Sequence, residues 1–143
     1  MIVVDASLAA KWILWEGDSP AALGFLAANR VALCGPDLLF VEVASAIVRR
    51  ANENKALAAD ALLALEKWTV VWSGHAVRTH RVTQARLFAA GRLALELGHQ
   101  ICDCVYLALA MEIGAELATC DVKFAGKARR IWPDIRLLTD YDT

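Results

Sequence analysis

Four carboxylates in this chain stand where acids can do chemistry together. Asp5 directly follows the apolar run Ile2, Val3 and Val4. Glu42 sits among Leu39, Phe40, Val41 and Val43. Asp103 precedes the apolar run from Val105 to Met111, and Asp121 comes two residues after Thr119. Taken one at a time, each has an ordinary explanation: a turn residue for Asp5 or Asp121, a helix cap for Asp103, an ion pair with Arg49 for Glu42. Glu42 is the hardest to dismiss, because a carboxylate inside an apolar helix carries a large desolvation cost unless it has a partner. Four carboxylates gathered on one edge would repel one another. A divalent cation resolves that repulsion, and all-oxygen donors favour a hard ion, Mg2+ or Mn2+, over zinc. Such a site suits phosphodiester hydrolysis and requires no Ser, Cys or His nucleophile. Ser7 and Thr119 each lie two residues from an acid. Their hydroxyls are candidates to hold carboxylates or waters in place, or simply to cap a local turn.

The elements that must position these acids can be read from apolar period and punctuation. Residues 2–4 form a β-rich run suited to a central strand. A helix is expected over about residues 8–16, capped by Ser7 and ended by Gly17, and a second over 20–29. Residues 31–34 read as a strand. Pro36 and Asp37 open a helix to about residue 52, and another covers 56–67. Residues 70–72 read as a strand, and 77–97 as one long helix stopped by Gly98. A buried helix spans 103–113 and ends at Gly114. A strand follows over 116–119, then a short helix over 123–131 and a last strand over 136–138. This alternation predicts a three-layer α/β/α domain with a mainly parallel sheet. In such sheets ligands bind beyond the carboxyl ends of the strands, so Asp5 and Asp121 should share an edge.

Composition narrows the class. A length of 143 residues suits one domain, taken here as residues 1–143. Hydrophobic content is 58% and mean hydropathy +0.43, yet no apolar run approaches the ~18 residues of a membrane span. The start lacks the basic region of a signal peptide, so a cytoplasmic location is expected. The apolar excess implies either a surface covered by a partner or a sheet buried on both faces. A net charge of -1 excludes a general nucleic-acid coat. Basic residues nonetheless cluster at Lys67, Arg78, Arg81, Arg86 and Arg92, and again at Lys123, Lys127, Arg129 and Arg130. Cys34, Cys102, Cys104 and Cys120 lie in apolar stretches and read as reduced, small hydrophobes.

The motifs carry a resemblance. Residues 3–7 (Val-Val-Asp-Ala-Ser) with Lys11 and Trp12 resemble the start of PIN-domain proteins, specifically the VapC-type toxins of bacterial toxin–antitoxin pairs. Residues 36–44, 103–110 and 117–121 with Phe124 are similar to the family's second, third and fourth motifs. The resemblance covers essentially the whole chain. It implies a Mg2+-dependent (or Mn2+-dependent) endoribonuclease acting on a structured RNA such as tRNA or rRNA. It further implies a homodimer, and a small cognate antitoxin that blocks the site. Asp5, Glu42, Asp103 and Asp121 would be the catalytic, metal-binding quartet, with Ser7 and Thr119 supporting it. An Arg or Lys of the antitoxin would enter the acidic pocket in place of the metal's charge. Cys102, Cys120 and Lys123 depart from the usual pattern, and Lys123 leaves a second metal site open.

Other classes compete. A haloacid-dehalogenase-type phosphotransfer enzyme also places Asp after its first strand, but wants an acid where Ser7 stands. A receiver domain wants adjacent acids near its start. His99, Cys102, Cys104 and Cys120 would make a zinc set, though with unusual spacing. A non-catalytic binding or regulatory module of the same fold is a further alternative. Oxidation of Cys102 or Cys120 would disturb a neighbouring ligand. His75 and His80 read as surface residues. Of Trp12 and Trp15, which share a helix face, at least one should reach the core, and the other could line a groove for a partner's helix.

Overall fold

In the computed structural model, which describes residues 1–141, five strands form one sheet in the order β3-β2-β1-β4-β5, every neighbouring pair parallel. The strands are β1 (Ile2–Val4), β2 (Leu33–Pro36), β3 (Arg78–His80), β4 (Glu116–Thr119) and β5 (Ile135–Leu137). Seven helices complete a three-layer α/β/α arrangement: α1 (Ala6–Ala9), α2 (Ser19–Ala28), α3 (Leu38–Glu53), α4 (Ala58–Ser73), α5 (Gln84–Leu97), α6 (Ile101–Ile113) and α7 (Val122–Ala128). A parallel strand flanked on both sides by helices must be apolar on both faces. Val3, Val4, Leu33, Cys34, Leu117 and Ala118 accordingly lose nearly all contact with solvent. Among the described residues no single helix is long and apolar enough to cross a membrane.

The register places the candidate acids. Val3 pairs with Leu117 and Val4 with Ala118, and the Asp5 backbone N–H still donates to the Ala118 carbonyl at 3.2 Å. Asp5 therefore leaves β1 beside the end of β4. Successive strands run outward from β1 in one direction through β2 and β3, and in the other through β4 and β5. The β1/β4 boundary is thus the topological switch point, where a crevice opens beyond the strand ends.

Several expected elements move. The first helix starts at Ala6, not residue 8, and gives way to a 3-10 turn, Ala10–Trp12. Its cap is Asp5, whose side chain accepts from the Leu8 N–H, because the Ser7 hydroxyl is drawn toward β4. Pro36 closes β2 instead of opening α3, and Asp37 accepts from the Val82 N–H across the sheet. The strand expected at residues 70–72 is the last turn of α4. Trp68 and Trp72, one turn apart, both pack on Phe40, and the Trp68 indole donates to the Phe40 carbonyl at 3.0 Å. Helical spacing thus outweighs the β preference of Val70 and Val71.

The long helix expected over 77–97 is split. Residues 78–80 form the edge strand β3, and Thr83 caps α5 by accepting from the Arg86 N–H. Gly98 and Gly114 end α5 and α6 at φ +60° and +66°, the left-handed conformation that glycine adopts without strain. Of the tryptophan pair, Trp12 is buried and Trp15 exposed. His75 is exposed, whereas His80 ends β3 with its Nε2 buried.

Candidate functional site

The four acids come from four different elements and line one cleft of about 920 Å³. Asp5 lies at the end of β1, Glu42 in the second turn of α3, Asp103 in the first turn of α6, and Asp121 at the cap of α7. Ser7, Lys11, Arg49, Arg50, Gln100, Cys102 and Cys120 share the walls.

Asp5 is buried and held on both oxygens. Its Oδ1 accepts from the Ser7 hydroxyl at 2.7 Å and the Leu8 N–H at 3.2 Å, and its Oδ2 accepts from the Thr119 hydroxyl. Ser7 and Thr119 are in turn fixed by β4's exit, accepting from the N–H groups of Cys120 (2.9 Å) and Asp121 (3.0 Å) respectively. Burial nonetheless pushes the Asp5 carboxyl up to about 6. The three hydrogen bonds oppose that rise, and the charge of Asp103 adds to it.

Glu42 is raised as well, first by burial and then by Asp103, while a 2.6 Å hydrogen bond from the Tyr106 hydroxyl to its Oε1 pulls it back. The Tyr106 phenol itself is held far above its ordinary range by burial and by Glu42. The ion pair considered between Glu42 and Arg49 does not form among the described residues; Tyr106 takes its place. Asp103 accepts at Oδ2 from Gln100 (3.0 Å) and pairs there with the His99 Nε2 (2.6 Å). Asp121 accepts at Oδ1 from the Phe124 N–H at 2.9 Å.

This donor set fits a hard divalent cation. Glu42, Asp103 and Asp121 each have one carboxylate oxygen held by the protein. Their other oxygens take no hydrogen bond from the described residues. Oxygen donors that repel one another and are fixed from behind are what Mg2+ or Mn2+ requires.

The basic clusters singled out in the sequence supply none of the cleft lining. Arg86 is paired with Glu112 and Arg129 with Asp140 on other faces. The cations at the cleft are Lys11, Arg49 and Arg50. Burial would lower Lys11, but Asp18 and Glu16 hold it up to about 12. Among the described residues the zinc set is not assembled: His99 groups with Asp103 and Asp121, and Cys104 is buried in α6. The redox idea weakens too. Burial, Glu42 and Asp103 push the Cys102 thiol up, and burial pushes Cys120 up to about 12, so both are poor thiolates. Sequence reasoning gave no site role to Tyr106, Lys11 or Gln100, and placed His99 only in the zinc set. The four-residue step from His99 to Asp103 was its available signal.

A family model described as PIN domain matches residues 2–130. No curated protein matches by sequence. Among solved structures, similar chains include PAE2754 of Pyrobaculum aerophilum (23% identity, TM-score 0.67, covering 97% of this chain and 84% of that one). VapC20 of Mycobacterium tuberculosis, a sarcin-ricin loop cleaving toxin, is similar at 18% identity and TM-score 0.71 (88% and 94% covered). So is a chain of a toxin–antitoxin complex from Klebsiella pneumoniae, at 15% identity and TM-score 0.65 (96% and 98% covered). At these identities the likeness is one of fold.

Proposed function

The chain belongs to the PIN-domain family, and from that premise we propose that it is a Mg2+- or Mn2+-dependent endoribonuclease, the toxin of a VapC-type toxin–antitoxin pair. The observation that carries the reading is the convergence of Asp5, Glu42, Asp103 and Asp121 on one cleft at the β1/β4 switch point. When bound there, the cation would supply Lewis-acid polarisation of a scissile phosphate and a water of lowered pKa. Asp5, Glu42, Asp103 and Asp121 would hold it. Ser7 and Thr119 fix the Asp5 carboxylate, and Tyr106 fixes Glu42, so these two acids are held in place before substrate arrives. Arg49 and Arg50, exposed along one wall, meet the RNA backbone.

VapC20 and the Klebsiella complex give the fold precedent for an RNA target and an antitoxin. Trp15 lines an apolar groove with Ile13, Leu14, Ile47 and Ala61 that suits an antitoxin helix. Exposed Phe88 and Leu95 on α5 support a homodimer.

The test is RNA cleavage by the purified chain beside its Asp5→Asn and Asp103→Asn variants, in Mg2+, Mn2+ or EDTA, with growth arrest on expression as the second readout. Metal-dependent cleavage lost in both variants is expected. Cleavage that survives both substitutions overturns the assignment of the site. No cleavage together with no growth arrest overturns the enzyme and favours a binding module.

A further inference from the structure

We propose that His99 is a nitrogen ligand of the cation held by Asp103 and Asp121, and that it biases the site toward Mn2+ over Mg2+. The inference rests on the reading above that these carboxylates hold a cation. One donor atom each of His99, Asp103 and Asp121 lies within 4.8 Å of the others. Ligands that share an ion at ~2.0–2.3 Å are no more than ~4.6 Å apart, so the spacing is close to that of a common coordination sphere.

The ring is placed by the fold. Gly98 turns the chain between α5 and α6, and the His99 N–H is tied to the Ala94 carbonyl at 3.1 Å. The imidazole packs on Phe124 with ring centroids 4.9 Å apart, leaving its side chain only 10% exposed. Phe124 does two jobs here: its ring seats His99, and its backbone N–H holds Asp121 at 2.9 Å. One buried residue therefore sets the distance between two of the three donors.

A simpler role for His99 is to orient Asp103 through the 2.6 Å contact of Nε2 with Oδ2. Gln100 already donates to that same oxygen at 3.0 Å, so Asp103 keeps a partner when the imidazole turns to other use. Nε2 now donates to Asp103 Oδ2, since a carboxylate only accepts. Cation binding moves the ring's proton to Nδ1 and turns the Nε2 lone pair to the ion. An imidazole among carboxylates suits Mg2+ poorly, since that ion prefers oxygen and water. It raises the affinity of transition-metal ions, Mn2+ included, relative to Mg2+.

The deciding measurement is pulsed electron paramagnetic resonance of the intact chain loaded with Mn2+. Expected is 14N modulation from one imidazole, replaced by a 15N pattern when the histidines are 15N-labelled, and lost in His99→Gln. Calorimetry on the same proteins should show Mn2+ affinity falling about tenfold or more in His99→Gln, with Mg2+ affected far less. Bound Mn2+ without nitrogen coupling, or equal loss of both ions, overturns the role of His99 and leaves the acidic site standing. Absence of Mn2+ binding in the wild-type chain overturns both readings. Should His99→Gln fail to fold, the labelled spectra of wild type, His75→Gln and His80→Gln decide: nitrogen coupling that survives both substitutions belongs to His99, and coupling lost in either overturns its role.

Discussion

Replacing Asp5 by Asn should stabilise the cation-free protein at neutral pH while destroying its proposed activity. The ordinary carboxyl value of 3.8 rises to about 6 in the folded chain, chiefly through burial. Between those two values the native state binds more protons than the unfolded state. Stability therefore falls as pH rises through that window, the reverse of a salt-bridged carboxylate. Below the window both states are protonated and the penalty vanishes; above it the penalty is complete. At ~1.4 kcal/mol per tenfold change, the full penalty is about 3 kcal/mol. Asn keeps an oxygen for the Ser7 hydroxyl and the Leu8 N–H, but deprives the Thr119 hydroxyl of its anionic acceptor. That loss returns about 1 kcal/mol, so a net gain of about 2 kcal/mol remains. Urea unfolding in EDTA from pH 4 to 7.5 measures it. The variant should be the more stable at pH 7.5, with the gap closing or reversing near pH 4. Glu42 is raised as well, but it responds to Asp103 and not to Asp5, so the difference between the two proteins isolates Asp5. A gap that does not change with pH, or a variant less stable at pH 7.5, refutes the reasoning.

Tyr106→Phe removes the 2.6 Å hydrogen bond that steadies Glu42, so Glu42 should rise further and release the cation more readily. A Mn2+ affinity about tenfold lower, read by calorimetry, is expected, with the fold intact by circular dichroism. Gly114→Ala places a side chain at φ +66° with no heavy atom within 4 Å of the new Cβ. Its cost is therefore conformational alone, roughly 1–2 kcal/mol, and should appear as a lower urea midpoint with no change in cation affinity.

The acids were legible because their positions are local. Asp5 and Asp121 follow apolar runs that are buried on both faces, and β1 and β4 fall at the expected residues. What failed depended on contacts distant in sequence. Asp5 and Ser7 are equally good caps by type, and only the pull of Cys120 and Thr119 on the Ser7 hydroxyl decides for Asp5. Arg78, Thr79 and His80 carry no apolar pattern, yet pair as an edge strand through their backbones with Cys34, Gly35 and Pro36. Tyr106 looked like one more apolar position in α6, since its link to Glu42 spans 64 residues. The basic runs misled for a related reason: charge density along a helix says nothing of which face meets the cleft.

The same geometry couples the stability of the chain to whatever sits in its cleft. Asp5 is anchored to a strand pair whose Val3, Val4, Leu117 and Ala118 are buried on both sides, so it cannot retreat toward water to relieve its desolvation. The relief must come from a positive charge brought to it. Lys11 lines the same cleft, but its ammonium is engaged by Glu16 at 2.6 Å and Asp18 at 2.8 Å, so that cation is committed elsewhere. In the proposed reading, a divalent ion that fills the site would stabilise the fold by mass action. A lysine or arginine delivered by a partner would draw on the same deficit. In the proposed reading, ion and antitoxin then compete for one set of carboxylates. On that reading inhibition would need no conformational change in this chain, only a cation held in place by a second protein.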